Sequence, residues 1–179
     1  EHPVTELVTG VDLVHEQIKL AMNPSSYQCV QVNHPRGHAI EVRICAENPD
    51  QDFAPCTGTI QKIIWPLGAG IRIDRGIEEG QTIGTNFDSM LAKLIVYAPD
   101  RASAVKRLQF ALAETIISGV GTNIGVLERL AHDPAVIAGK VDTEYLGRHD
   151  LSSPKLKVED SAEVLALVQN AARVGGGSK

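Results

Sequence analysis

The chain is predicted to be an α+β protein built on an antiparallel sheet. Strand-type segments cluster between residues 38 and 97, and helix-type segments stand before and after that cluster instead of alternating with it. Over 179 residues the hydrophobic fraction is 43% and the charged fraction 22%, the balance of a globular domain of ordinary size.

The first segment reads as a turn and a helix. Pro3 and Thr5 precede an apolar series at Leu7, Val11, Val14, Ile18 and Ala21, whose spacings of four and three trace one helical stripe. Leu13 and Leu20 widen that stripe. Gly10 either weakens this helix or marks its start, and Asn23-Pro24-Ser25-Ser26 ends it.

The period then changes from 3.6 to 2. Across His38–Ile44, the apolar Ile40, Val42 and Ile44 alternate with Glu41 and Arg43, the pattern of a half-buried strand. Shorter strand signals follow at 59–64 and 71–74, punctuated by Pro66-Leu67-Gly68-Ala69-Gly70 and Arg75-Gly76. The stretch 90–97 is apolar almost throughout and is expected to be a central strand.

Helices return next. Asp100 is placed to cap a helix whose stripe is Val105, Leu108, Leu112 and Ile116, with Gly119 as its stop. Thr122 is the expected cap of a second helix carrying Val126, Leu127 and Leu130, and Asp133-Pro134 opens a short third one. Ser152-Ser153-Pro154 reads as a linker. Asp160 with Glu163 fits a capping box for a helix to about residue 172, and Gly175-Gly176-Gly177-Ser178 reads as an unstructured end or an expression scar.

Composition excludes several classes of function. Seventeen basic against twenty-two acidic residues leave a net charge of −5, the wrong sign for a nucleic-acid or anionic-membrane binder working by bulk charge. The apolar run Leu94–Ala98 is far short of the roughly 20 residues of a membrane helix. No secretory signal is recognised. Cys29, Cys45 and Cys56 are odd in number and form no C-x-x-C pair, so free thiols in a reducing compartment are expected. Six histidines form no H-E-x-x-H, and no metal site is expected. The opening Glu1-His2-Pro3, without Met, reads as a piece of a longer polypeptide.

Two places could carry chemistry. Strand geometry puts Glu41 and Arg43 on one face about 7 Å apart. A guanidinium fixed on a sheet presents two parallel N–H groups to a planar anion, although alternating Glu and Arg is equally the pattern of a solvated strand face. Glu1 and Glu6, flanking His2, offer carboxylates that could act as a base, or simply an exposed chain end. Gly68-Ala69-Gly70 lacks the context of a phosphate loop and reads as a turn. Asp88 is placed either to pair with a basic residue or to cap a turn.

Taken together, the motifs resemble one family. Glu1-His2-Pro3-Val4-Thr5-Glu6 with Thr9-Gly10-Val11-Asp12 resembles the end of the ATP-grasp domain of biotin carboxylase. Arg36–Ile44 with Ala46-Glu47-Asn48-Pro49 resembles the start of its C-terminal domain. Phe53–Gly58, Asp88–Ile95 and Gly119–Asn123 resemble later blocks in the same order. The downstream blocks are most similar to acyl-CoA carboxylase α chains.

The resemblance implies a partly rolled sheet, preceded by a helix left over from the ATP-grasp domain. It implies three parts: 1–33 as that remnant, 34–147 as the biotin carboxylase C-terminal domain, and 148–179 as linker and tail. It implies a ligase that uses ATP with Mg2+ or Mn2+ to activate bicarbonate, and then carboxylates biotin on a carrier protein. It assigns Glu1 as the base for bicarbonate and Arg43 as the group stabilising the enolate-like oxygen of biotin, with Glu41 orienting Arg43. The implied partners are a biotin carboxyl carrier, a carboxyltransferase and a second copy of the chain, in the cytoplasm or the mitochondrial matrix. The nucleotide and metal residues of the family fall before Glu1, so this stretch alone is expected to be inactive. Two other readings stand beside this one: the C-terminal domain of a different ATP-grasp ligase, and a non-catalytic dimerisation or docking module. A biotin carrier is disfavoured, since no Met-Lys-Met occurs.

Overall fold

A computed structural model describes residues 1–32 and 34–149. The linker, capping box and glycine run expected beyond residue 150 lie outside the described residues.

The stripe expected as one helix is two, α1 at His2–Thr9 and α2 at Leu13–Met22. Gly10 separates them in the left-handed region (φ 74°), its N–H donating to the Glu6 carbonyl at 2.8 Å. A side chain would strain that conformation. Asp12 restarts the helix by accepting from the His15 N–H at 2.8 Å. α1 buries Pro3, whereas α2 buries nothing: Val14, Ile18 and Leu20 all stand exposed.

The sheet follows the alternation read from the sequence. β1 (His38–Cys45) leads into the short strands β2 (Glu47–Asn48), β3 (Ala54–Pro55), β4 (Gly58–Thr59) and β5 (Lys62–Ile64). Then come β6 (Ile71–Arg75), β7 (Thr82–Ile83) and β8 (Met90–Ala98). β8 is central in the order β1-β8-β6, as its continuous apolar run requires. All described pairings are antiparallel. The α+β expectation therefore holds.

α3 (Arg101–Glu114) covers one face of this sheet, started by Asp100 accepting from the Ser103 N–H at 2.8 Å. Leu108, Ala111 and Leu112 pack there against Ile44, Leu94 and Val96, with Ile40 and Val42 at the edge. A second core forms from Ala46, Ile60, Ile77, Leu91 and Val120, and Trp65 and Ile117 touch both.

Two expectations around the later helices are corrected. The stripe of α3 does not reach Ile116. The helix stops at Glu114, Thr115 is extended, and Ile116–Ser118 becomes β9, paired with β5. The β-branched run Thr115-Ile116-Ile117 prefers the pleated state once a partner strand is offered. Gly119 therefore ends a strand, not a helix. Its φ is +95°, and a Cβ there would strike the Thr59 carbonyl, just as one on Gly58 would strike the Gly119 carbonyl. Thr122 does not cap the next helix, α4 (Ile124–His132). Asn123 stands at the cap position and turns its side chain away toward β1. α5 (Pro134–Ala138) begins as expected, with Asp133 accepting from the N–H groups of Ala135 and Val136.

Candidate active site

β1 alternates as its sequence requires. Ile40, Val42 and Ile44 turn to the α3 side, which leaves Glu41 and Arg43 on the opposite face. α1 lies over that opposite face, and its N-terminal end brings Glu1 to the two strand residues. The structure thus gathers all three residues singled out from the sequence.

The Glu41 carboxylate is only 6% exposed, and both of its oxygens accept hydrogen bonds from the α-amino nitrogen of Glu1 at 3.1 Å. Arg43 Nη2 lies 3.6 Å from Glu1 Oε1, and Arg43 Nε lies 3.8 Å from Glu41 Oε1. These are ion-pair distances, too long for strong hydrogen bonds. The guanidinium is 55% exposed and the Glu1 carboxylate 95% exposed, so water screens their attraction and it adds little to stability. What the arrangement offers is an exposed carboxylate able to accept a proton, beside a permanently charged fork whose donors are not consumed by short contacts.

Two residues outside the initial reading hold this geometry. Arg72 on β6 stands on the same face, since Arg72 and Glu41 both lie opposite Ile95 on β8. It donates through Nε and Nη2 to both oxygens of Asp74, each at 2.8 Å. Its Nη1 stands 3.7 Å from Glu6 Oε2, while Glu6 Oε1 accepts from the Leu13 N–H at 3.0 Å. Glu6 thus links the sheet, α1 and the start of α2. The sequence carried a signal for Arg72 and Asp74, the same i, i+2 alternation that flags Glu41 and Arg43.

The second residue is Asn123. Its Oδ1 accepts from the Cys45 N–H at 2.9 Å, its Nδ2 donates to the Arg43 carbonyl at 3.1 Å, and its own N–H donates to the Cys45 carbonyl at 3.1 Å. Nothing in the local sequence announces this role.

The remaining candidates settle into structural roles. Asp88 accepts from the Met90 N–H at 2.8 Å, a turn contact. At Gly68-Ala69-Gly70 the Ile71 N–H donates to the Gly68 carbonyl at 3.3 Å, again a turn. The three cysteines are free thiols, and burial pushes the Cys45 thiol up from its ordinary value. Among the described residues no group of three His, Cys, Asp or Glu side chains could hold a metal ion. A cavity of about 750 Å³, lined by Glu47, Phe53, Leu127, Leu130, Leu146 and His149 among others, includes none of Glu1, Glu41 and Arg43.

Comparison with known proteins gives this geometry its context. The family described as Biotin carboxylase C-terminal domain matches residues 41–148. The biotin carboxylase of Nostoc sp. is 44% identical over 146 residues, covering 82% of this chain and 33% of that protein. The mitochondrial methylcrotonoyl-CoA carboxylase subunit alpha of Dictyostelium discoideum is 37% identical over 172 residues, 93% of this chain and 24% of that one. Among solved structures, the biotin carboxylase domain dimer of Hydrogenobacter thermophilus 2-oxoglutarate carboxylase, in complex with MgADP, ADP and bicarbonate, superposes with a TM-score of 0.78. It is 39% identical and covers 87% of this chain and 35% of that one. The chain therefore spans about a quarter to a third of the length of these relatives.

Proposed function

That the chain belongs to the biotin carboxylase C-terminal domain family is the premise from which we propose its function: it supplies the biotin-facing wall of an ATP-dependent biotin carboxylase. The single observation that carries the proposal is the convergence of Glu1, Glu41 and Arg43 on one sheet face.

In this reading Arg43 is the electrophilic anchor. When the ureido nitrogen of biotin loses its proton, negative charge collects on the ureido oxygen. A guanidinium already held on the sheet face, with N–H groups to spare, would stabilise that charge with little reorganisation at the moment of reaction. Glu1 accepts the proton of bicarbonate, its exposed carboxylate standing 3.6 Å from Arg43 Nη2. Glu41, with its carboxylate 3.8 Å from Arg43 Nε, steadies the guanidinium from the sheet side.

ATP with Mg2+ or Mn2+ supplies the activation of bicarbonate. The isolated chain, which spans about a third of the biotin carboxylase it matches, is proposed to be inactive in bicarbonate-dependent ATP hydrolysis. The apolar face of α2, with Val14, Ile18 and Leu20 exposed, supports residues 1–33 seating against an ATP-grasp domain. Residues 34–147 then form the C-terminal domain proper.

The partners in this proposal are a biotin carboxyl carrier, a carboxyltransferase and a second copy of the chain. Exposed Leu67 and Phe110, which line a shallow cavity of about 410 Å³, support the last of these. Among the described residues no helix is long and apolar enough to cross a membrane. Cytoplasm or mitochondrial matrix is the proposed location.

The test uses the complete carboxylase that contains this chain. Arg43→Ala should lower carboxylation of free biotin by about 100- to 1,000-fold while leaving bicarbonate-dependent ATP hydrolysis measured without biotin. Normal carboxylation by that variant would refute the assignment.

A further inference from the structure

β1 is an edge strand, and β8 bulges against it opposite the step from Ile44 to Cys45. Its register with β8 runs Arg43 to Lys93 and Ile44 to Ala92, then jumps from Cys45 to Met90, leaving Leu91 unmatched. A bulge interrupts the ladder locally and increases the twist, and pairing resumes only at the Ala46 N–H, which donates to the Ser89 carbonyl at 2.8 Å. Arg43 is also weakly held by its own side chain, at 3.6 and 3.8 Å from its acidic partners with half its surface in water. Where its guanidinium points depends largely on where its main chain is kept.

Asn123 occupies the open edge at that place. Its carboxamide takes the Cys45 N–H and the Arg43 carbonyl, and its own N–H takes the Cys45 carbonyl. One buried residue thus stands in for a missing neighbour strand, across 78 and 80 residues of sequence. A carboxamide is suited to this because it offers a donor and an acceptor side by side, as a peptide group does. The strand groups it satisfies would otherwise lack protein partners at a half-buried edge.

We propose that Asn123 is a positioning residue for Arg43: it locks the main chain on both sides of the bulge, and so sets the guanidinium against the developing biotin oxyanion. This rests on the reading of Arg43 given above. It places the amino end of α4, far along the chain, in the machinery of biotin carboxylation without any contact to biotin.

The experiment compares Asn123→Ala, Asn123→Asp, Arg43→Ala and the double variant Arg43→Ala/Asn123→Ala in the complete carboxylase. The readouts are kcat and KM for free biotin, ATP hydrolysis without biotin, and melting temperature. Displacing a reacting group by about 1 Å costs on the order of 100-fold in rate. Asn123→Ala should therefore lower the biotin carboxylation kcat by about 10- to 100-fold, leave biotin-independent ATP hydrolysis within about twofold, and lower nothing further in the Arg43→Ala background. Asn123→Asp keeps the acceptor for Cys45 and suits a helix start, but gives the Arg43 carbonyl no donor. It should lower the melting temperature no more than Asn123→Ala does and still lose kcat.

Parental kcat in Asn123→Asp, or an equal loss of both activities in Asn123→Ala with further loss on top of Arg43→Ala, would overturn the inference alone. Normal biotin carboxylation by Arg43→Ala would overturn the reading of the site and the inference with it.

Discussion

Glu6 and Arg72 tie the first helix to the sheet that carries the site. Arg72 Nη1 stands 3.7 Å from Glu6 Oε2, and the same guanidinium is held in a two-point grip by Asp74. α1 is only eight residues long, too short to be stable by itself, so its docking decides whether it forms. Arg72→Ala is therefore expected to cost about 1 kcal/mol of stability, a modest figure because water screens a side chain that is 41% exposed. Hydrogen exchange should locate the change. Amides of α1 should exchange faster in the variant while those of β8 keep the parental rate, and unchanged α1 protection would count against the docking role.

Gly58 and Gly119 meet where β4 passes the turn after β9, and neither has room for a Cβ. Gly119 adds a left-handed backbone, at φ +95°. Gly119→Ala combines strain with a clash against the Thr59 carbonyl, and an expected loss of about 2–4 kcal/mol follows. Urea unfolding measures it directly. Gly80→Ala, also at positive φ but with open space around its Cβ position, should cost less.

These two positions show where sequence reasoning reaches and where it stops. The alternation through β1 and the apolar run of β8 are local patterns, and both were legible, as were the Asp100 and Asp133 caps. Gly119 looked like a helix stop because the stripe of α3 continues in phase to Ile116. Only the presence of β5 alongside turns Ile116–Ser118 into a strand. The Glu41–Arg43 face was legible from its period. The residues offered Glu1 only as a possible base or an exposed chain end, and the resemblance assigned its role, while Asn123 works through partners 78 and 80 residues away that no local pattern encodes.

Acid should unravel the helix starts first. Asp100 is held below the usual carboxylate range by the Ser103 N–H and hydroxyl, and Asp133 by the Tyr145 hydroxyl and the N–H groups of Val136 and Ala135. A carboxyl whose folded pKa is depressed stabilises the fold above its unfolded pKa, about 3.9, and loses that contribution as pH falls through the folded value. The contribution of these two caps should thus be constant from neutral pH down to roughly 5 and be lost below about 4, on top of a milder decline near pH 6 from His38, whose burial lowers its pKa. In an Asp100→Asn/Asp133→Asn variant the neutral-pH melting temperature should drop and the acid limb should flatten. An acid limb as steep as the parent's would show that other carboxyls control it.

The proposed roles of Glu1 and Arg43 separate in time, and partial reactions can separate them in the complete carboxylase. A base for bicarbonate acts before biotin is involved, so Glu1→Gln should depress both biotin-independent ATP hydrolysis and biotin carboxylation. Arg43 acts only once charge reaches biotin, so Arg43→Lys should spare the first and depress the second. Lysine keeps the positive charge but offers a compact point donor in place of a planar fork. Loss of a preplaced oxyanion donor costs on the order of 100- to 1,000-fold in kcat. If charge alone sufficed, Arg43→Lys would carboxylate biotin at close to the parental rate, and the two-donor account of this face would fall. If Glu1→Gln left bicarbonate-dependent ATP hydrolysis intact, its carboxylate would be no base, and its 3.6 Å approach to Arg43 would be a surface ion pair without a step to perform.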